Sequence, residues 1–188
     1  MPVRSGSRSW PAASIKTSSK GSSPPCTLRT TTEAIWSQVP TIHKDGATVL
    51  VRKLLDYPSP TGVFVGDVVV IKNPEDPSQL LIRRLAAVEG CEMVSTDEKD
   101  EPFILAHNHC WVLADNQSLT PKMARDSRLF GPVPLGYIYG RVVYTLRTTA
   151  DHGMVKNSCR AMKQDFPVVA KELDLQALLD GVNMRLKK

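Results

Sequence analysis

The strongest constraint on the fold is a nine-residue stretch of apolar residues interrupted by two adjacent arginines. It runs from Leu80 to Val88 and reads LLIRRLAAV, and its length predicts a β-strand. Side chains alternate between the two faces of a strand, so Leu81, Arg83 and Leu85 share one face. A guanidinium between two leucines either reaches water from an edge strand or faces a functional site, because an unpaired buried charge is costly.

Other short apolar stretches, bounded by proline, glycine and turn residues, predict a mainly β domain of barrel or sandwich type. Predicted strands cover residues 47–54, 63–72, 103–106, 110–114 and 137–146. The charged segment 93–102 reads as a hairpin excursion. Residues 115–130 form a polar loop, and loops of that length in compact domains are usually functional or disordered.

The C-terminal extension, residues 151–188, has a different pattern. After Pro167, apolar residues recur at spacings that predict an amphipathic helix. They are Val168, Val169, Leu173, Leu175, Leu178, Leu179, Val182 and Leu186. This apolar stripe packs on the β domain or docks to a partner.

The net charge of +5 comes from the first 32 residues, which hold five basic residues and no acidic one. This Ser- and Arg-rich leader resembles an organellar transit peptide. The alternative is a disordered tail that carries no targeting signal. The basic and acidic side chains of the remaining residues balance, so this part of the chain has no net charge. This argues against nucleic-acid binding. No apolar run reaches the length of a membrane span, so we expect membrane association through a partner.

The four cysteines are widely spaced and predict reduced thiols in an intracellular compartment. His107, His109 and Cys110 do not match the spacing of a zinc site, and a strand would point His109 and Cys110 to opposite faces. We therefore expect no metal site at these residues.

Several segments, taken in order, resemble the type I signal peptidase family, closest to divergent plant-type mitochondrial inner membrane protease-like proteins. They are Gly66–Val69 (GDVV), Ile82–Leu85 (IRRL), Asp115–Asn116 (DN), Asp126–Arg128 (DSR) and Phe130–Gly136 (FGPVPLG). The match covers residues 36–147, so residues 33–150 are assigned to this domain. The resemblance implies a signal-peptidase-like antiparallel fold with a coiled, barrel-like core.

The resemblance also implies a serine endopeptidase that processes presequences with a serine–lysine dyad and uses no metal or organic cofactor. The family's nucleophile box, Ser-Met-x-Pro-Thr, corresponds to Ser37–Thr41 (SQVPT) and places the nucleophile at Ser37. The general-base position falls on Arg83. A lysine can serve as base when burial lowers its pKa, whereas a guanidinium stays protonated at physiological pH.

The positions that support this dyad are partly changed. Asp115, Asn116, Asp126 and Arg128 match the family boxes, and we expect Asp126 and Arg128 to form a structural ion pair. Ala124 stands where the family commonly has a serine that orients the lysine. A changed base together with a changed orienting residue indicates a relaxed or repurposed site.

Three functions are consistent with these residues. The first is a non-catalytic subunit or scaffold, a pseudoenzyme bound to other subunits of a complex at the mitochondrial inner membrane or, alternatively, in a plastid. The second is an active protease in which Lys72 or Lys53 supplies the base. The third is a module that binds presequence peptides, with Arg83 paired to a peptide carboxylate.

Overall fold

A computed structural model of the chain describes residues 26–29, 37–42, 48–54, 62–95, 101–148 and 150–172. The strands in these ranges are β1 (Cys26–Arg29), β2 (Thr48–Lys53), β3 (Val68–Lys72), β4 (Leu80–Val88), β5 (Glu92–Met93), β6 (Phe103–Ile104), β7 (His109–Leu113), β8 (Val133–Pro134), β9 (Ile138–Leu146) and β10 (His152–Met154). The helices are α1 (Pro121–Ala124), α2 (Ser127–Phe130) and α3 (Cys159–Glu172), with a 3-10 turn at Leu135–Tyr137.

The strands form one antiparallel sheet and a separate two-stranded ribbon. The order in the sheet is β1-β2-β9-β3-β4-β7-β8, with β10 also paired to β9, and the ribbon consists of β5 and β6. Together with α3, this arrangement confirms the predicted mainly β, signal-peptidase-like fold with a C-terminal helix.

The centre of the sheet is apolar on both faces. Val68 and Val70 of β3 belong to one buried cluster with Ile82, whereas Val69 and Ile71 belong to a second cluster on the other face. A strand buried on both sides needs apolar residues at every position, which accounts for the continuous VVVI sequence of β3.

Strand β4 lies inside the sheet, between β3 and β7. Arg83 pairs with Val69 of β3, and its neighbours on that face, Leu81 and Leu85, belong to the second cluster. The predicted alternation is therefore confirmed. The explanation that Arg83 reaches water from an edge strand is wrong, because β4 has partners on both sides and Arg83 is 2% exposed.

Gly140 allows β9 to approach β2 closely. A Cβ atom built at this position would lie 2.5 Å from the carbonyl oxygen of Arg52 and 2.7 Å from a methyl group of Val51. No side chain fits there without a shift of the backbone. The glycine that interrupts the apolar sequence of β9 is thus required by strand packing.

The C-terminal part of the structure is joined to the sheet by a buried ion cluster. Asp165 of α3 accepts hydrogen bonds from Arg141 of β9 at 2.8 and 3.0 Å and from Arg52 of β2 at 2.7 Å. Arg141 also pairs with Asp67 at 3.3 Å, and the Arg141 and Asp67 side chains are almost fully buried. Val169 of the predicted stripe packs against an apolar cluster of the sheet.

Two sequence predictions about element boundaries are wrong. Helix α3 begins at Cys159, eight residues before Pro167, because its buried positions include Asp165, which an apolar pattern does not reveal. Strand β1 lies within the predicted disordered leader, and its backbone pairs with β2. The remainder of that leader and residues 173–188 lie outside the described residues, and the division of the chain at residue 150 stays a prediction.

Candidate active site

Ser37 lies at the buried start of a turn between β1 and β2. The turn covers residues 37–42 and is closed by a hydrogen bond from the backbone N–H of Ile42 to the carbonyl oxygen of Gln38. The carbonyl oxygen of Ser37 accepts the backbone N–H of Asn116 at 3.0 Å. Ser37 is 2% exposed, so its hydroxyl is held in the interior of the protein.

Arg83 contacts Ser37 directly. Its Nη1 donates to the Ser37 Oγ at 2.7 Å and also to the carbonyl oxygen of Ile82. Its Nη2 donates to the carbonyl oxygen of Ala124, and its Nε donates to that of Arg125 at 3.1 Å. Four of the five N–H groups of the guanidinium are therefore engaged by these acceptors.

The loop of residues 115–130 supplies two of these acceptors through its backbone. Helix α1 ends at Ala124 and is followed by Arg125, which has a left-handed backbone conformation (φ 47°) that is uncommon for a residue other than glycine. This turn points the carbonyl groups of Ala124 and Arg125 at Arg83. The loop predicted to be functional or disordered is thus ordered into two short helices beside the site.

Asp126 and Arg128 form the predicted ion pair, at 2.8 Å. The Asp126 carboxylate is fully buried and also caps helix α2 by accepting the backbone N–H of Arg128. It accepts a further hydrogen bond from the backbone N–H of Ala114 at 3.0 Å. The hydrogen bond from Arg128 to Asp126 raises the pKa of the Arg128 guanidinium. Because Asp126 also binds the backbone of Ala114, it connects the start of α2 to the end of β7.

A second ion pair fixes the other side of the Ser37 turn. Arg84 binds both carboxylate oxygens of Asp115, at 2.7 and 2.6 Å. Thr41 donates its hydroxyl to Asp115 at 2.5 Å, and Arg84 also reaches the carbonyl oxygens of Gly66 and Lys156. Sequence reasoning named Asp115 but not Arg84 as a site residue. Its position beside Arg83, in the IRRL motif, was the available signal.

Arg83 is charged at neutral pH although its surroundings favour the neutral form. Burial is the largest cause that lowers the pKa of Arg83, Asp126 raises this pKa and Arg125 lowers it, and the net result is a pKa of about 10. With a pKa of about 10, only about one guanidinium in a thousand is neutral at pH 7. Arg83 is thus a hydrogen-bond donor to the Ser37 hydroxyl oxygen, whereas a general base must accept a proton from it.

The two lysines considered as substitute bases lie elsewhere. Lys72 is exposed at the end of β3 and pairs with Leu80. It lies three positions along β3 from Val69, the partner of Arg83, and therefore points to the opposite face of the sheet. Lys53 is exposed and lies over the ring of Tyr139 at 5.6 Å. Neither position supports a role as base for Ser37.

The structure brings the sequence-predicted site residues into one region, although their functional roles stay predictions. Ser37 contacts Arg83, Asn116 contacts the Ser37 backbone, and the pairs Arg84–Asp115 and Asp126–Arg128 lie on either side. Sequence reasoning missed the backbone acceptors at residues 124 and 125, since no side-chain pattern encodes them. In the described ranges, no group of three or more His, Cys, Asp or Glu residues has the arrangement of a metal site.

Comparison with known proteins identifies relatives among mitochondrial proteases, although no protein-family model matches the chain. The chain is 53% identical over 139 residues to the mitochondrial ATP-independent inner membrane protease subunit 2 of Arabidopsis thaliana, covering 74% of this chain and 67% of that protein. It is 35% identical over 124 residues to the mitochondrial ATP-independent inner membrane protease subunit 1b of Arabidopsis thaliana, covering 62% of this chain and 69% of that protein. It is 31% identical over 102 residues to human mitochondrial inner membrane protease subunit 1, covering 52% and 58%.

These relatives confirm the predicted family and the predicted association with the mitochondrial inner membrane. None of the helices in the described ranges has the length and apolar character needed to span a membrane. The GDVV, IRRL and DSR segments that carried the resemblance surround Ser37 and Arg83 in the structure. The chain belongs to the mitochondrial inner membrane protease family of type I signal peptidase-like proteins.

Proposed function

We propose that this chain is a non-catalytic subunit of an inner membrane protease complex. The observation that carries the proposal is the hydrogen bond from the Arg83 guanidinium to the Ser37 hydroxyl oxygen. A serine becomes a nucleophile when a neighbouring base takes its proton, and a charged guanidinium has no lone pair for that proton. Loss of a general base typically lowers the rate by about 10²–10⁴-fold.

The surroundings of Arg83 favour a structural role for this side chain. Three of its four acceptors are backbone carbonyls from β4 and the end of α1. These hydrogen bonds connect the turn at the end of α1 to the sheet, and a satisfied hydrogen-bond network of this kind makes a protein core rigid. A subunit that has no proteolytic step to perform still needs this region folded.

The same contacts speak against Arg83 as a receptor for a peptide carboxylate. Bidentate recognition of a carboxylate uses two parallel N–H groups of a guanidinium. In Arg83, four of the five N–H groups already donate to protein acceptors, and the side chain is 2% exposed. A peptide would have to displace Ser37 or the Ala124 carbonyl to bind there.

The test is cleavage of a model presequence peptide by the full chain at about pH 7, where the Arg83 guanidinium is charged. We expect the parent and Ser37→Ala to show equal background rates. The double variant Arg83→Lys, Ala124→Ser supplies a base and an orienting hydroxyl, and we expect it to gain cleavage that a further Ser37→Ala removes.

Cleavage by the parent that Ser37→Ala abolishes overturns the proposal and makes the chain a working serine endopeptidase. A double variant as inactive as the parent leaves the proposal standing but assigns the loss of activity to more than the base. Circular dichroism of each variant controls for folding.

A further inference from the structure

The β5–β6 ribbon is separate from the main sheet and is attached to it at its base. Glu92 pairs with Ile104, and Met93 pairs with Phe103. At the base, Leu105 is buried and exchanges backbone hydrogen bonds with Gly90 and Cys91, both at 2.9 Å. A two-stranded ribbon is marginally stable alone, so this one depends on its anchor.

The two faces of the ribbon have different surroundings. On one face, the Phe103 ring contacts the Trp111 ring of β7 with centroids 5.7 Å apart. The opposite face presents Ile104, which is 70% exposed, beside Glu92. Continuing the pairing by one residue sets Val94, also 70% exposed, on this same outward face. The outward face thus offers two large apolar side chains to the solvent.

The ribbon is also acidic, although the whole chain is basic. Glu89, Glu92 and Glu101 are exposed, and residues 89–95 and 101–106 contain no lysine or arginine. The sequence between these two ranges adds three acidic residues and one lysine. An anionic membrane surface repels such a segment, whereas a protein surface rich in lysine or arginine attracts it.

We propose that the outward face of the ribbon, formed by Glu92, Val94 and Ile104, binds a partner subunit of the protease complex. The complementary surface is an apolar patch bordered by lysine or arginine side chains. This inference rests on the proposed function, because it names the surface through which a non-catalytic subunit joins its complex. Exposed apolar residues inside a polar rim are the usual composition of such interfaces.

The relatives indicate which kind of partner to test. The chain is more similar to the Arabidopsis subunit 2 (53%) than to the Arabidopsis subunit 1b (35%). Subunit 1b is the named subunit type that this chain resembles less, so it is the partner that we test. The probe is purified Arabidopsis subunit 1b, and the readout is its dissociation constant for the full chain in detergent at several salt concentrations.

The variants separate apolar contact from charge. Val94→Ser with Ile104→Ser removes the apolar face of the ribbon, and we expect affinity to fall at least tenfold. Glu92→Lys reverses one rim charge, and we expect weaker binding together with a smaller dependence on salt. Phe166→Ser is the matched control, because Phe166 is a large apolar residue that is 63% exposed on α3, and we expect no change.

Each outcome separates this inference from the function on which it rests. If the parent binds subunit 1b and the ribbon variants bind equally well, the ribbon is not the interface and the proposed function stands. If the parent does not bind subunit 1b, the inference is wrong, whereas the proposed function is decided separately by the cleavage assay. If the Val94 and Ile104 changes instead reduce binding to vesicles of phosphatidylcholine and cardiolipin, the ribbon is a membrane contact and the inference is wrong.

Discussion

The Arg83 guanidinium donates to the hydroxyl oxygen of Ser37 across 2.7 Å, although the two residues are 46 positions apart in the chain. Both side chains are 2% exposed. The bond joins the turn before β2 to the middle of β4, and the remaining bonds of Arg83 reach the end of α1. Arg83 therefore links three parts of the fold, and its removal has structural consequences that are separate from any chemistry.

Replacing Arg83 with methionine tests this linking role. The carbonyl groups of Ile82, Ala124 and Arg125 then lose their donor, and an unsatisfied buried polar group costs about 1–3 kcal/mol. We expect Arg83→Met to lower the free energy of unfolding by about 2 kcal/mol or more, measured by urea denaturation. Lys72→Met, at an exposed position of β3, should leave the midpoint unchanged. Equal midpoints for the two variants would show that Arg83 is not a structural link.

The buried ion cluster around Asp165 predicts a second large effect. Asp165→Ala leaves the Arg141 guanidinium, which is 1% exposed, with Asp67 as its remaining carboxylate at 3.3 Å. Removing one partner of a buried ion pair typically costs about 3–5 kcal/mol. Glu75→Ala breaks the exposed pair with Arg125, whose side chain is 35% exposed, and exposed pairs contribute about 0–1 kcal/mol. Chemical denaturation of both variants should show a clear difference, and similar losses would contradict this reading.

Cys110 provides a prediction about pH. Burial raises the pKa of the Cys110 thiol from 9.0 to about 12, so the folded protein retains a proton that the unfolded chain loses. The corresponding contribution to stability is fully present below pH 9 and is lost as the pH rises through about 12. At pH 8 we expect a maleimide to label the exposed Cys159 quickly and Cys110 only on unfolding. Labelling of both at equal rates, followed by mass spectrometry of the peptides, would refute the prediction.

Gly140 and Gly153 form a matched pair of glycines in paired strands. A Cβ at Gly140 meets the backbone of β2 at 2.5 Å, whereas a Cβ at Gly153 meets nothing within 4 Å. Overpacking a core site costs about 1–3 kcal/mol, so we expect Gly140→Ala to lower the melting temperature and Gly153→Ala to leave it unchanged or slightly higher. A melting curve for Gly140→Ala that overlays the parent would show that β9 can move away from β2.

The sequence predicted those parts of the fold that depend on apolar pattern. The strand from Leu80 to Val88 has the predicted bounds, because its alternation and the turn at Glu89 and Gly90 are local signals. The start of α3 was not predictable in this way. Its buried face includes Asp165, an acidic residue whose burial is compensated by hydrogen bonds from Arg141.

The candidate site was predictable as a set of residues but not as a set of contacts. Motifs grouped Ser37 with Arg83 and Asp126 with Arg128, and each pair is in contact in the structure. The number of hydrogen bonds that Arg83 donates could not be predicted from the sequence, because three of its acceptors are backbone oxygens. Two of these oxygens are positioned by the turn at Arg125. Backbone geometry of that kind has no sequence signature outside glycine and proline.

The bond between Arg141 and Asp165 also has a consequence for the order in which the protein matures. Chains are synthesised from the amino end, and β9 emerges before α3. Until residue 165 is available, the guanidinium of Arg141 has Asp67 as its carboxylate partner but lacks the two hydrogen bonds that it donates to Asp165 of α3. The sheet can therefore reach its final state only after synthesis has passed α3, so a ribosome-bound intermediate without α3 has an incomplete buried ion cluster.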